Sequence, residues 1–333
     1  MSTIAVNDPV FRITALWAFS ECALGGVMHA LKLPFTGFFV GGFAVLCIGL
    51  LAHHSQHIAA AILRATLLVM LAKATVSPHS PPMAYLAVGF QGVMGAVLLG
   101  HLRPFALAAY LFGFLALVES AFQKLLVLLL FFGKPLFEAV DVFFGEILKN
   151  FGLKEEISWA AVAVWGYVGL YAVWGLVLGN WILKLPRVLD TKSKEYATVS
   201  FPEAAEEAAV QKKRKRPWLF PSLVLLFVVG TFLLTGTKAS GVQKAVYAVV
   251  RSMAVMAAWF VLVQPLAMWA IKRWAARKSV SEESSLGKIV AGIPALRVQS
   301  RAAFRYVSER YSGWARLREF VLALFVVSIY REP

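Results

Sequence analysis

Cysteine is nearly absent from this chain. There are two in 333 residues, Cys22 and Cys47, each inside an apolar run. Two isolated thiols exclude a disulfide framework and a CxxC metal or redox motif. The sequence also lacks a Walker A loop, GxSxG, HExxH and a GxGxxG in a strand context, the patterns that cradle phosphates, present an acyl nucleophile or hold zinc. Its glycines, such as Gly41-Gly42 and Gly92/Gly95, lie in apolar spans, where they serve helix packing. The N-terminus (MSTIAVNDPVF) has no basic region before an apolar one and no small-residue cleavage site, so no cleaved signal peptide is expected. These absences predict a non-enzyme with no cofactor and no metal.

What is present is apolar sequence. Hydrophobic residues make up 59% of the chain, against about 45–50% in ordinary globular proteins, and the excess lies in runs long enough to cross a bilayer at roughly 20 residues each. The spans are expected at 12–31, 35–52, 57–75, 83–100, 104–132 and 157–184, then at 217–236 and 241–271. This is an all-α membrane protein, a polytopic bundle of six spans plus two. The net charge of +15 does not point to nucleic acid, because the basic residues cluster where helices leave the membrane. Lys212-Lys213-Arg214-Lys215-Arg216 precedes the seventh span, and Lys272, Arg273, Arg277 and Lys278 follow the eighth. The positive-inside rule puts both clusters, and by counting back the N-terminus, in the cytoplasm. Anionic lipid headgroups are the partners expected at Lys212–Arg216 and the C-terminal tail. The compartment expected is the bacterial cytoplasmic membrane.

Four regions follow. Residues 1–184 form the six-helix core. Within it, 133–156 reads as an amphipathic helix at the outer interface, with Leu136, Phe137, Val140, Phe143, Phe144, Ile147 and Leu148 at helical spacing. Residues 185–216 have linker composition, and 217–272 form a two-helix hairpin. Residues 273–333 form a basic cytoplasmic tail whose Phe304, Val307, Tyr311, Trp314, Leu317 and Val321 draw one amphipathic face.

Polar groups inside the spans are the candidate site residues. Glu21 and Arg64 fall at matched depth from the inner face, which predicts a paired bridge or a role in coordination. Gln91 lies near mid-membrane, and Glu119 and Lys124 lie in the outer half of span five. The outer loops 29–37 and 77–83 carry Lys32 and His79, with His29 at the loop's start. A solute site would draw on His29, Lys32, His79, Gln91 and Glu119. His53, His54 and His57 sit at an inner turn that interrupts any single helical face, so interfacial polarity is their expected role rather than metal or haem ligation. On the first helix Ala15, Ala18, Cys22, Gly26 and Ala30 form a small-residue stripe, a helix-packing or partner surface.

Six helices with both ends inside, short outer loops and this stripe resemble the substrate-binding S component of energy-coupling-factor transporters. The resemblance covers residues 11–184. It rests on Ala15-Leu16-Trp17-Ala18 with Cys22 and Gly26, and on the Pro81–Gly92 stretch, which looks like the fourth-helix region of such cores. It implies partner subunits, a T-type membrane component and an ATPase, contacted through the first helix, and outer loops 29–37, 77–83 and 133–156 closing over a vitamin or metal. Ser2 stands where cobalt and nickel members carry histidine, which argues against that metal chemistry. The extra spans and tail depart from the family pattern and suggest a fused coupling element. The rival expectation, from a different class, is a non-catalytic membrane scaffold or assembly subunit.

Overall fold

A computed structural model describes residues 8–24, 35–77, 80–150, 157–196, 226, 239–276 and 284–330. Every regular element among them is helical. We number them α1 (Pro9–Phe19, continued by a π-helical turn, Ser20–Leu24), α2 (Gly42–His53, preceded by a π-helical turn, Gly37–Gly41), α3 (Ile58–Val76), α4 (Pro82–His101), α5 (Phe105–Phe132), α6 (Lys134–Asn150) and α7 (Trp159–Tyr196). After these come α8 (Ala239–Ala258), a π-helical turn (Trp259–Val263), α9 (Gln264–Ala276), α10 (Ser285–Arg310) and α11 (Gly313–Tyr330). Among the described residues five helical segments are long and apolar enough to cross a membrane: α3, α4, α5, α7 and the stretch 243–271 running from α8 into α9. The apolar segment Gly37–His53 is shorter. The chain is an integral, multi-pass α-helical membrane protein. Of the six-plus-two spans expected, the described residues show these five; residues 25–31 of the expected first span, and the expected span 217–236 apart from Leu226, lie outside the described residues.

The chain divides into two compact units. The first comprises Met1–Leu117, Trp174–Lys213 and Ile271–Pro333, and the second Val118–Val173 and Arg214–Ala270. In the first, α1 is the central element. Asp8 caps it, its carboxylate accepting from the Val10 amide at 3.0 Å, and Pro9 supplies the fixed φ suited to a first turn. All faces of α1 are buried from Ile13 to Phe19, against α2, α3, α10 and α11. α3 and α4 run antiparallel in a fixed register: Ala59 lies beside Gly100, Thr66 beside Gly92, Met70 beside Gly89 and Lys73 beside Tyr85.

Two tail and linker expectations are corrected here. The stretch expected as linker from residue 185 is helical as far as Tyr196, passing through Pro186. The reason is a buried stripe, Leu178, Ile182, Leu185, Leu189 and Tyr196, whose helical spacing continues across the proline; 197–216 lie outside the described residues. The tail is not one amphipathic surface helix. Tyr311 is extended, Gly313 adopts φ 57°, and the helix restarts as α11. Trp314 and Phe304 are exposed, whereas Leu322–Ile329 are buried. Phe325 stacks on Phe43 at 5.0 Å, and the Arg12 guanidinium donates to the Ile329 carbonyl at 3.1 Å. An apolar run too short to span a bilayer by itself has been folded against α1.

In the second unit α6 is amphipathic, the pattern read from 133–156; 151–156 lie outside the described residues. Gly133 turns the chain out of α5 with φ 67°, a conformation that glycine adopts without strain. Phe132, Leu136 and Ala139 pack with Ala245 and Ala248 of α8. Asp141 caps the start of α7, accepting from the Ser158 hydroxyl at 3.1 Å and the Ala160 amide at 2.8 Å. Asp141→Ala should cost about 0.5–2 kcal/mol, the usual loss for an N-terminal cap. Hydrogen exchange reads it directly: the Ala160 amide should lose protection while amides in the middle of α4 stay unchanged.

Candidate functional site

The polar centre of the first unit is built where α1 stops being a regular α-helix. The Ser20 amide is shared between the carbonyls of Leu16 and Trp17, and the Ser20 hydroxyl donates back to the Trp17 carbonyl at 2.8 Å. The π-helical turn that follows adds a residue to the turn and re-aims the side chains after it, a local change common at functional positions. It carries Glu21, which accepts from the Lys73 ammonium at 2.6 Å; Glu21 is 4% exposed and Lys73 2%. Glu21 is therefore paired with Lys73 and not with the expected Arg64, which is exposed on α3. The Lys73 ammonium also lies 5.9 Å from the centre of the Tyr85 ring on α4, within cation–π range. The Cys22 thiol is in electrostatic reach of Lys73, Glu21 and Tyr85.

Among the described residues three further buried polar atoms have no hydrogen-bond partner: Trp17 Nε1, one turn before Glu21 on α1, Tyr85 Oη on α4, and Gln91 Nε2 farther along α4. All three can donate, and an unpaired buried donor costs about 1–3 kcal/mol. The chemistry on offer is a desolvated carboxylate–ammonium pair beside the Tyr85 ring, with unpartnered donors on α1 and α4, suited to a solute rich in hydrogen-bond acceptors.

Neither a protein-family model, nor a curated protein, nor a solved structure matches this chain.

Of the residues expected in a solute site, Gln91 is buried on α4 and Glu119 half-buried on α5. They belong to different compact units. His29, Lys32 and His79 lie outside the described residues. Ala15, Ala18 and Cys22 of the stripe are buried among this chain's own helices; Gly26 and Ala30 are not described. His53 and His54 are in edge-to-face contact at 5.2 Å, and among the described residues no three His, Cys, Asp or Glu side chains gather as a metal site. Sequence reasoning missed Lys73, although a lysine inside the apolar run of α3 is a signal of the same kind as Glu21.

A second polar cluster ties α11 to α7. Glu319, 2% exposed, accepts from Arg318 at 2.8 Å and Tyr196 at 3.4 Å and pairs with Lys192 at 3.2 Å; Lys192 also meets Glu195 at 2.7 Å. Burial raises the Glu319 pKa, but hydrogen bonds and charge from Arg318 and Lys192 outweigh it and hold the carboxyl below its ordinary 4.5. At the turn after α2, burial and then His53 push the His54 imidazole below its ordinary 6.5, with Asp190 and Asp8 partly offsetting. In both cases the unfolded chain binds protons more readily than the folded one, so stability rises with pH through the gap between the two pKa values. Each contribution is present above the unfolded value and lost as pH falls through the folded one. The thermal midpoint in detergent should therefore decline first below about pH 6.5 and again below Glu319's unfolded value. His54→Gln should remove the first decline and leave the second, and an unchanged profile would refute the assignment.

Proposed function

We propose that this chain is a substrate-binding or transport subunit of a membrane complex, and that it takes a small, acceptor-rich solute at Glu21, Lys73, Tyr85 and Gln91. The observation that carries this reading is the buried Glu21–Lys73 pair, its carboxylate on a π-helical turn and the Tyr85 ring beside its ammonium; donors without partners among the described residues, on α1 and α4, support it. Packing alone gives little reason for such a pair, since replacing a buried ion pair by apolar residues is often neutral or stabilising by about 1–4 kcal/mol. Lys73 lies near the end of α3 and Tyr85 near the start of α4, which is the outer end in the orientation drawn from the basic clusters. The resemblance to energy-coupling-factor S components agrees with a site there, and partner subunits would include a T-type component and an ATPase. Since Ala15, Ala18 and Cys22 are covered by this chain's own helices, such a partner would meet a different face.

Native mass spectrometry of the gently purified full-length protein tests the reading. A retained vitamin-sized molecule is expected, with retention falling at least tenfold in Tyr85→Phe/Gln91→Leu. A protein that retains only another polypeptide, and whose thermal midpoint no small solute moves, would favour the scaffold instead.

A further inference from the structure

The first unit also holds an aromatic pocket that takes no part in the polar centre. It has a volume of about 190 Å³. Its walls include Phe38 and Phe43 at one side, Trp174 and Trp181 of α7 behind, and Trp314 and Arg318 of α11 in front. Phe38 and Trp174 stack at 4.9 Å, and Trp314 meets Trp174 edge-on at 6.3 Å. The Trp174 indole N–H is already committed to the Phe38 carbonyl at 3.2 Å.

That construction restricts what can enter. The volume lies below the roughly 300–1,000 Å³ of pockets that hold drug-sized ligands, so it suits part of a flexible molecule rather than a whole compact solute. Among the described residues of the lining Arg318 is the only charged one, which leaves little to orient a polar molecule but much to bury an apolar chain. In an integral membrane protein the surrounding medium supplies such chains. Arg318 provides the polar end. Its Nε and Nη2 both donate to one oxygen of Glu319, at 3.2 and 2.8 Å, while its side chain remains 54% exposed. A guanidinium has five N–H donors, so this exposed fork, at the pocket's lining, keeps donors beyond the two given to Glu319. With Glu195 included, the Lys192–Glu319–Arg318 network is neutral. The surplus charge comes from the rest of α10 and α11, which apart from Arg318 and Glu319 carry six cationic side chains against one carboxylate from Ser285 to Tyr330. A phosphate complements that surplus, and Arg is the side chain best shaped to grip one.

We propose that this pocket holds one acyl chain of an anionic phospholipid, with the lipid phosphate on Arg318. The site narrows a diffuse attraction between the basic tail and anionic headgroups to one residue and one groove, and it is independent of the solute site.

The test is native mass spectrometry of the full-length protein in detergent, titrated with phosphatidylglycerol or with phosphatidylcholine bearing identical chains. One phosphatidylglycerol should be retained at least tenfold more tightly than phosphatidylcholine. Arg318→Gln should erase that preference. Val321→Phe, which fills the pocket from α11 without touching the ion network, should abolish retention of both lipids while the thermal midpoint holds. Equal retention of the two lipids by the unaltered protein would overturn the proposal, as would full phosphatidylglycerol retention by Val321→Phe.

Discussion

Leucine at Gly175 should prevent the first unit from assembling. On α7, Gly175 faces Gly113 of α5 so closely that a β-carbon on either residue would run into the backbone carbonyl of the other. One turn further, a β-carbon on Gly179 would lie 2.7 Å from the Tyr110 Cα and 2.9 Å from the Ala109 carbonyl oxygen. The atoms in the way are backbone, so no rotamer change relieves the overlap and the helices must separate. In lipid, where apolar burial gives no drive for helix association, that close approach is the source of the binding. The cost should reach or exceed the upper end of the roughly 1–3 kcal/mol seen for overpacked cores. Gly166 on the same helix supplies the control, because a β-carbon there meets nothing within 4 Å. Gly175→Leu should abolish a monodisperse peak in size-exclusion chromatography, while Gly166→Leu should purify normally. If both variants purify alike, the crossing is not what holds α5 to α7 here.

The same crossing shows where sequence reading stops. The long apolar runs of α3, α4 and α5 and the amphipathic pattern of α6 are local properties, and the helices stand close to where composition and periodicity put them. A contact between Gly113 and Gly175 joins positions 62 apart, and nothing in either run singles out its partner. The Glu21–Arg64 expectation failed for a geometric reason. Depth was counted from residue 12, but α1 starts at Pro9, and three residues of helix are about 4.5 Å. With the helix start corrected, Glu21 stands twelve residues into α1, against six for Arg64 and fifteen for Lys73 in α3, so about 4.5 Å of rise remains between Glu21 and Lys73, a gap that their two side chains span. The tail was misread although its signal was present: Ser312-Gly313 is a turn dipeptide, and ending the helix there separates the exposed Phe304 on α10 from the buried run after Phe320 on α11. Polar composition after residue 184 suggested a linker, yet Leu185, Leu189 and Tyr196 keep the helical spacing that decided the outcome.

Breaking the Glu21–Lys73 pair should have the second large effect, and the pattern across three variants separates a strut from a site. Glu21→Leu leaves an ammonium 2% exposed without its counter-charge, and Lys73→Met does the same to the carboxylate. Removal of one partner of a buried pair typically costs about 3–5 kcal/mol, because the survivor stays desolvated. Either variant should therefore lower the thermal midpoint in detergent sharply. The double variant Glu21→Leu/Lys73→Met strands no charge and replaces the pair with apolar groups of comparable bulk, so most of the lost stability should return. Solute retention should not return with it, since the double variant keeps the packing and discards the chemistry. If stability stays low in the double variant, the pair's contribution is not electrostatic and the cause lies in the shape of the π-helical turn. If stability and retention both recover, Glu21 and Lys73 are a strut alone, and the solute must be held by Tyr85, Gln91 and Trp17 without them.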